Sequence, residues 1–319
     1  MAKTYEGGEP VAEVVRSGFV EGVHRGSAVV LDATGAPVAG AGDGTSPIFP
    51  RSASKPLQTL GMLRAGLTTT DPADVALVSA SHAGEEFHLA RVATLLRSAG
   101  LDPEALHCPP DLPFGEAARQ AVLRAGGGPS RLAMNCSGKH AGMLLTCLAA
   151  DWPLDGYWRP EHPLQRRLTA TIEEYAGEPA AAVGVDGCGA PVLAISLTGL
   201  ARAFLRLVSA QPGSPERTVA DAMRAYPELV GGTGADDTRL MRGVPGMLVK
   251  IGAEGVIAAA LPGVGAVAVK IDDGATRART PVLVSGLRRL GVQAPVLTEY
   301  AELPLLGGGL PVGAVRSVW

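Results

Sequence analysis

The hydrophobic pattern of this chain changes period twice, and that order restricts the folds open to it. Residues 27–43 set small apolar blocks about a polar turn: Ala28-Val29-Val30-Leu31, then Asp32-Ala33-Thr34-Gly35, then Pro37-Val38-Ala39-Gly40. This predicts a β-hairpin. After a Pro/Gly/Ser loop at 42–50, Leu57, Leu60 and Leu63 recur at helical spacing, with Pro56 tolerated only near the first turn. Helical patterns then dominate from about 70 to 225, including Glu86–Arg97, Gly115–Arg124 and a nearly all-apolar stretch Gly138–Leu148. Ser214-Pro215 reads as an N-cap with Pro at the first helical position. Strand patterns return at Gly255–Leu261 and Ala266–Ile271, followed by a helix over roughly 275–290. The expectation is an α+β fold, an α/β sandwich whose mixed, mainly antiparallel sheet comes from both chain ends. One unit spans 1–319, with a sheet lobe of 10–50 plus 240–319 and an inserted helical lobe over about 51–239. The cleft between lobes is the natural place for a site.

Composition narrows the partners. The net charge is −3 with no basic run, which argues against nucleic acid. No uninterrupted apolar stretch approaches membrane-spanning length, and residues 1–8 carry no apolar signal region. A cytosolic protein is expected, so Cys108, Cys136, Cys147 and Cys188 should be thiols or ligands before they are disulfides.

Lysine is rationed: only five of the 28 basic residues are Lys, at 3, 55, 139, 250 and 270, and the rest are Arg. A Lys kept against that bias belongs where Arg cannot serve, because a desolvated Lys becomes a neutral amine that accepts a proton. Three stand in suggestive company, in Arg51-Ser52-Ala53-Ser54-Lys55-Pro56, Asn135-Cys136-Ser137-Gly138-Lys139-His140 and Lys250-Ile251-Gly252. At a helix start, residues three apart share a face, so the Lys55 amine can reach the Ser52 hydroxyl and activate it as a nucleophile. Lys55 precedes a proline, however, a position biased away from helical angles. Taken singly each motif also has a plain structural reading. Ser52 can be a helix cap, Ser81-His82-Ala83-Gly84-Glu85 a capped helix start, and Lys250 an edge-strand lysine. Together, a Ser-x-x-Lys at a helix start, a Ser in a helical lobe and a Lys-x-Gly on a late strand are the parts of serine β-lactamases and penicillin-binding proteins. Cys136 and Cys188, beside glycine turns, are either buried thiols or, with Lys139 or His140, ligands of a zinc ion. His24, His88, His107 and His162 show no partner spacing.

In this order, from about residue 23 to 275, these segments resemble the rhizobial-type L-asparaginase family. The resemblance is carried by Arg51-Ser52-x-x-Lys55-Pro56, Ser81-His82-x-Gly84-Glu85, Asn135-Cys136-Ser137-Gly138-Lys139-His140 and Asp186-Gly187-Cys188. It continues in Gly231-Gly232-Thr233, Asp237-Thr238-x-Leu240-Met241 and Lys250-x-Gly252-Ala253. It implies a serine β-lactamase-like and glutaminase-like fold, with Ser52 as nucleophile, Lys55 as its base, and Ser81 and Lys250 as a second Ser–Lys pair. It further implies zinc held by Cys136, Lys139 and Cys188, L-asparagine as substrate and a homodimer. A zwitterionic substrate needs a cation for its carboxylate and an anion for its ammonium; Arg51 and Asp186 are the candidates, with His82 beside them. Glutamine differs by one methylene, worth only about 1–3 kcal/mol, so the two amides are not ranked by sequence. Two rivals remain. A serine peptidase or β-lactamase would use the same parts on cell-wall peptides, and a non-catalytic thiolate zinc protein would use Ser52 only as a cap.

Overall fold

The computed structural model describes residues 4–69 and 71–319. Four strands open the chain: β1 (Glu9–Arg16), β2 (Phe19–Asp32), β3 (Pro37–Ala41) and the two-residue β4 (Pro47–Ile48). A helical stretch follows with α1 (Lys55–Arg64), α2 (Pro72–Val78), α3 (Glu86–Ser98), α4 (Glu116–Arg124), α5 (Ser137–Ala149) and α6 (Pro163–Ala176). After β5 (Ala182–Val185) and β6 (Pro191–Ser196) come α7 (Leu197–Ser209), α8 (Pro215–Ala225), α9 (Pro227–Val230) and α10 (Asp236–Gly243). The chain closes with β7 (Leu248–Ile251), β8 (Val256–Leu261), β9 (Gly265–Ile271), α11 (Thr276–Arg289), α12 (Pro295–Ala301), β10 (Glu302–Gly307) and β11 (Leu310–Ser317).

The two chain ends build one eight-stranded sheet in the order β10-β11-β1-β2-β9-β8-β7, with β3 also paired to β2. Every strand pairing among the described residues is antiparallel, so the sheet is not mixed as the sequence had suggested. The predicted hairpin at 27–43 forms, with Asp32 Oδ1 accepting from the Thr34 and Ala36 amides to close its turn. Nearly every position of β8 and β9 is buried, which requires cover on both faces. One face is covered by α11, whose Gly286 lies against Val267 and Val30; on the other, Val29 packs towards Gly44 and Thr198 at the start of α7.

Helix α7 therefore lies on the sheet although its residues fall in the range expected to form a separate helical lobe. The strands β5 and β6 are a second departure, a short ladder with β4 inside that same range. Two buried apolar clusters result: a large one of sheet, α7, α8 and α11, and a smaller one with Leu77, Val92, Leu96, Met143 and Leu164. Helix α1 joins them, giving Leu57 and Leu60 to the first and Met62 to the second. No helix among the described residues is long and apolar enough to cross a membrane.

Candidate active site

All three lysines singled out by their company are sealed: Lys55 and Lys139 are 1% exposed and Lys250 is 0% exposed. Burying an ammonium is costly unless it is paired and hydrogen-bonded, so each demands an account of its partners.

Lys55 opens α1 directly after a single 3-10 turn, Arg51–Ser54, that carries Ser52. It keeps helical angles (φ −57, ψ −37) in spite of Pro56, so tertiary packing overrides the pre-proline bias. Its amine donates to the Ala80 carbonyl and, at 2.9 Å, to Ser81 Oγ. Ser52 is half-buried, and its Oγ makes no hydrogen bond among the described residues. The segment that carries Ser81 is fixed by backbone bonds from Ser81 N to Val230 O and from His82 N to Asn135 O.

Lys250 lies within β7, an edge strand of the sheet. Its Nζ donates to the Ile251 carbonyl at 3.0 Å and faces Asp237 Oδ2 at 3.5 Å. Burial chiefly, with Lys55 and Arg279 adding to it, brings its pKa down to about 8 against the pull of Asp237. The Ser81–Lys250 hydrogen bond that the family pattern implies is not formed among the described residues; Ser81 is held by Lys55 instead. Where β7 ends, a Cβ on Gly252 would stand 2.5 Å from the Pro50 carbonyl, so this glycine lets the strand close on the turn that carries Ser52.

A second cluster adjoins the first. Cys136 and Ser137-Gly138-Lys139 start α5, and Cys188 sits in the turn between β5 and β6, where Gly189 adopts φ +85. Lys139 Nζ lies 3.1 Å from Cys188 Sγ. The Cys136 thiol donates to Asn135 Oδ1 at 3.1 Å. Its nearness, with that of Lys139 and His140, draws the Cys188 pKa down against burial, while Cys188 and burial push that of Cys136 up. The adjoining sulfurs in turn hold the Lys139 pKa up in spite of burial.

Arg51 ties the two clusters together. Its Nε donates to Asp186 Oδ1 at 2.7 Å, in the Cys188 turn, and its guanidinium lies 3.7 Å from Glu254 in the β7–β8 turn. Both Arg51 (φ +51) and Glu254 (φ +55) occupy the left-handed region that non-glycine residues avoid, which marks the clasp as a strained, over-determined point. An apolar hollow of about 430 Å³, lined by Ile48, Phe49, Ala182 and Ala194, adjoins Arg51. The larger cleft, about 860 Å³ beside Asp74, Arg91 and Tyr226, contains none of these residues.

His82 is fully buried, with Nε2 at 2.8 Å from Ser137 Oγ. Ser137 gives its own proton to the Leu132 carbonyl, so Nε2 must be the protonated nitrogen of His82. Its Nδ1 is then a lone pair without a partner. Burial first, then His88 and Lys55, lowers its pKa well below the ordinary value, so it is a neutral brace behind Ser81.

Residues 12–317 match the family described as L-asparaginase II. The chain belongs to the L-asparaginase II family. No curated protein matches the sequence. Solved structures similar in outline are Mglu in its native form (17% identity, TM-score 0.43, 83% of this chain and 63% of that one), a β-lactamase from Mycobacterium bovis (15%, 0.45, 84% and 95%) and a putative β-lactamase from Bacteroides dorei (12%, 0.42, 91% and 95%). The chain thus spans less than two thirds of the length of Mglu.

For an L-asparaginase II chain the metal expectation meets a specific test. No group of three or more His, Cys, Asp or Glu side chains among the described residues is placed to hold a metal ion. A site here therefore needs Lys139 as a third donor beside Cys136 and Cys188, after loss of its proton. The chemistry fits a soft divalent ion: two neighbouring sulfurs, Cys136 and Cys188, with an amine 3.1 Å from one of them. Sequence reasoning assigned no role to Asp237, Glu254 or Arg279. Asp237 already stood in the family pattern, whereas Arg279 and Glu254 are common residue types with no local signal.

Proposed function

We propose that this L-asparaginase II family member hydrolyses L-asparagine to aspartate and ammonia through an acyl-enzyme on Ser52. The observation that carries the reading is the buried Lys55 amine, which holds Ser81 and stands three residues after Ser52, whose hydroxyl has no hydrogen bond among the described residues. Lys55 spends two N–H groups on Ala80 and Ser81, and the third position on its nitrogen takes the Ser52 proton. Ser52 Oγ bonds to the side-chain amide carbon and its proton passes to Lys55. As the C–N bond breaks, the nitrogen takes a proton from Lys250 and leaves as ammonia. Water then adds to the ester and gives a proton to Lys250, while Ser52 departs with the one held by Lys55.

Arg51 and Asp186 neutralise each other in this state. The zwitterion exchanges with that pair, its carboxylate meeting Arg51 and its ammonium meeting Asp186. His82 acts from behind, by fixing the Ser81 segment. Zinc, when bound, would sit on Cys136, Cys188 and Lys139 and supply positive charge beside the reacting groups.

An ammonia-release assay on asparagine and glutamine tests the reading. Ser52→Ala should lose more than about a thousandfold in kcat, as expected for a removed nucleophile. Full activity in that variant would leave Ser52 without a catalytic part and favour the thiolate zinc protein; hydrolysis of a chromogenic β-lactam without ammonia release would favour the β-lactamase.

A further inference from the structure

Asp237, the buried ion-pair partner of Lys250, has no part in the chemistry just described. Asp237 is 0% exposed, and its Oδ2 lies 3.5 Å from Lys250 Nζ. Its Oδ1 has only the amide of Thr238 at 3.2 Å. The carboxylate is brought there by α10, whose approach is set by left-handed Gly232 (φ +129) and Gly234 (φ +73) and lashed by Thr238 Oγ1 to the carbonyls of Pro227 and Gly232. A Cβ on Gly231 would stand 2.1 Å from Asp237 Oδ1. Gly231 itself has φ −111, which any residue adopts, so what the glycine provides is room for the carboxylate.

Resting on the reading of Lys250 as the proton donor to the leaving nitrogen, we propose that Asp237 is the positioning residue that keeps Lys250 charged for that step, and that Gly231 seats it. The charged groups facing Lys250 come from three elements: Asp237 from α10, Lys55 from α1 and Arg279 from α11. The neighbouring carboxylate Asp236 is engaged by Arg279 at 3.1 Å and is not free to compensate. Without Asp237, burial, Lys55 and Arg279 all favour the neutral amine. With it, Lys250 titrates at about 8, near a neutral working pH, where an acid can both give and regain its proton.

The test is the pH profile of kcat for ammonia release from asparagine in the full chain. Asp237→Asn should move the alkaline limb to lower pH by about 1–3 pH units, the span expected for loss of an opposite charge at this range. Gly231→Ala, which displaces the carboxylate without altering any charge, should move it the same way, and Asp237→Glu should return it part of the way. Should Asp237→Asn fail to fold, Gly231→Ala carries the test. A folded variant with an unmoved limb overturns the proposal. If Ser52→Ala and Lys250→Met keep wild-type rates, the hydrolase reading itself fails and this one falls with it. If both lose activity while the limb stays in place, only the role of Asp237 is lost.

Discussion

At the scale of the residue, buried lysines organise this molecule. Rationing made Lys55, Lys139 and Lys250 visible before any fold was known, because each stood beside a serine, a cysteine or a strand glycine. Their partners were not legible. Asp237 and Arg279 are ordinary residue types in a chain of this composition, and only tertiary structure sets them against Lys250. The same holds for the exchange of partners at Ser81, since spacing cannot say which amine a hydroxyl will meet. Lys250 also predicts a stability effect. Its folded pKa of about 8 lies below the ordinary 10.5, so between these values the unfolded chain binds more protons than the folded one. Stability must therefore rise with pH across that window. Comparing guanidinium midpoints at pH 8 and pH 10, the wild type should gain on Lys250→Met; parallel changes in the two would contradict the assignment.

At the scale of the element, long periodic segments were readable and short or doubly buried ones were not. The α3, α4, α5 and α11 helices fall where the apolar patterns put them, and α8 begins at the Ser214-Pro215 cap. β6 is buried at all six positions, so it has no alternation to read and hides among helices. β10 contains Pro304, which argues against a strand interior and is accommodated because β10 is the sheet edge. Helix α5 shows what small residues do between elements. A Cβ at Gly138 would meet the Leu77 carbonyl at 2.5 Å, and one at Gly142 the Val78 Cγ1 at 2.5 Å. These two glycines let α5 lie against α2 and set the depth of Cys136 and Lys139. Gly142→Ala should cost about 1–3 kcal/mol by overpacking, measured by urea denaturation. A neutral result would mean that α5 shifts freely.

At the scale of the whole molecule, the expectation of a sheet drawn from both ends holds, and it was readable from the order of the patterns alone. What the order did not show is how deeply the ends interlock. β11 lies between β10 and β1, pairs with β1 from Ala12↔Ser317 to Arg16↔Gly313, and buries Val315 in the large core. The Trp319 indole donates to Gly40 O and lies beside Arg289. Deleting residues 310–319 should therefore remove the cooperative thermal transition, read by circular dichroism; an unchanged transition would show the ladder to be dispensable. Separate lobes were also too simple a picture, since α7 belongs by sequence to the helical stretch and by packing to the sheet.

Pro56 leaves a mark on how this protein is born. In the unfolded chain the residue ahead of a proline favours extended angles, yet Lys55 is bent into a helix in the finished molecule. The amine thus acquires its bearing only when α1 is pressed between the two apolar clusters. A nascent or partly assembled chain would carry the right side chains, aimed at nothing.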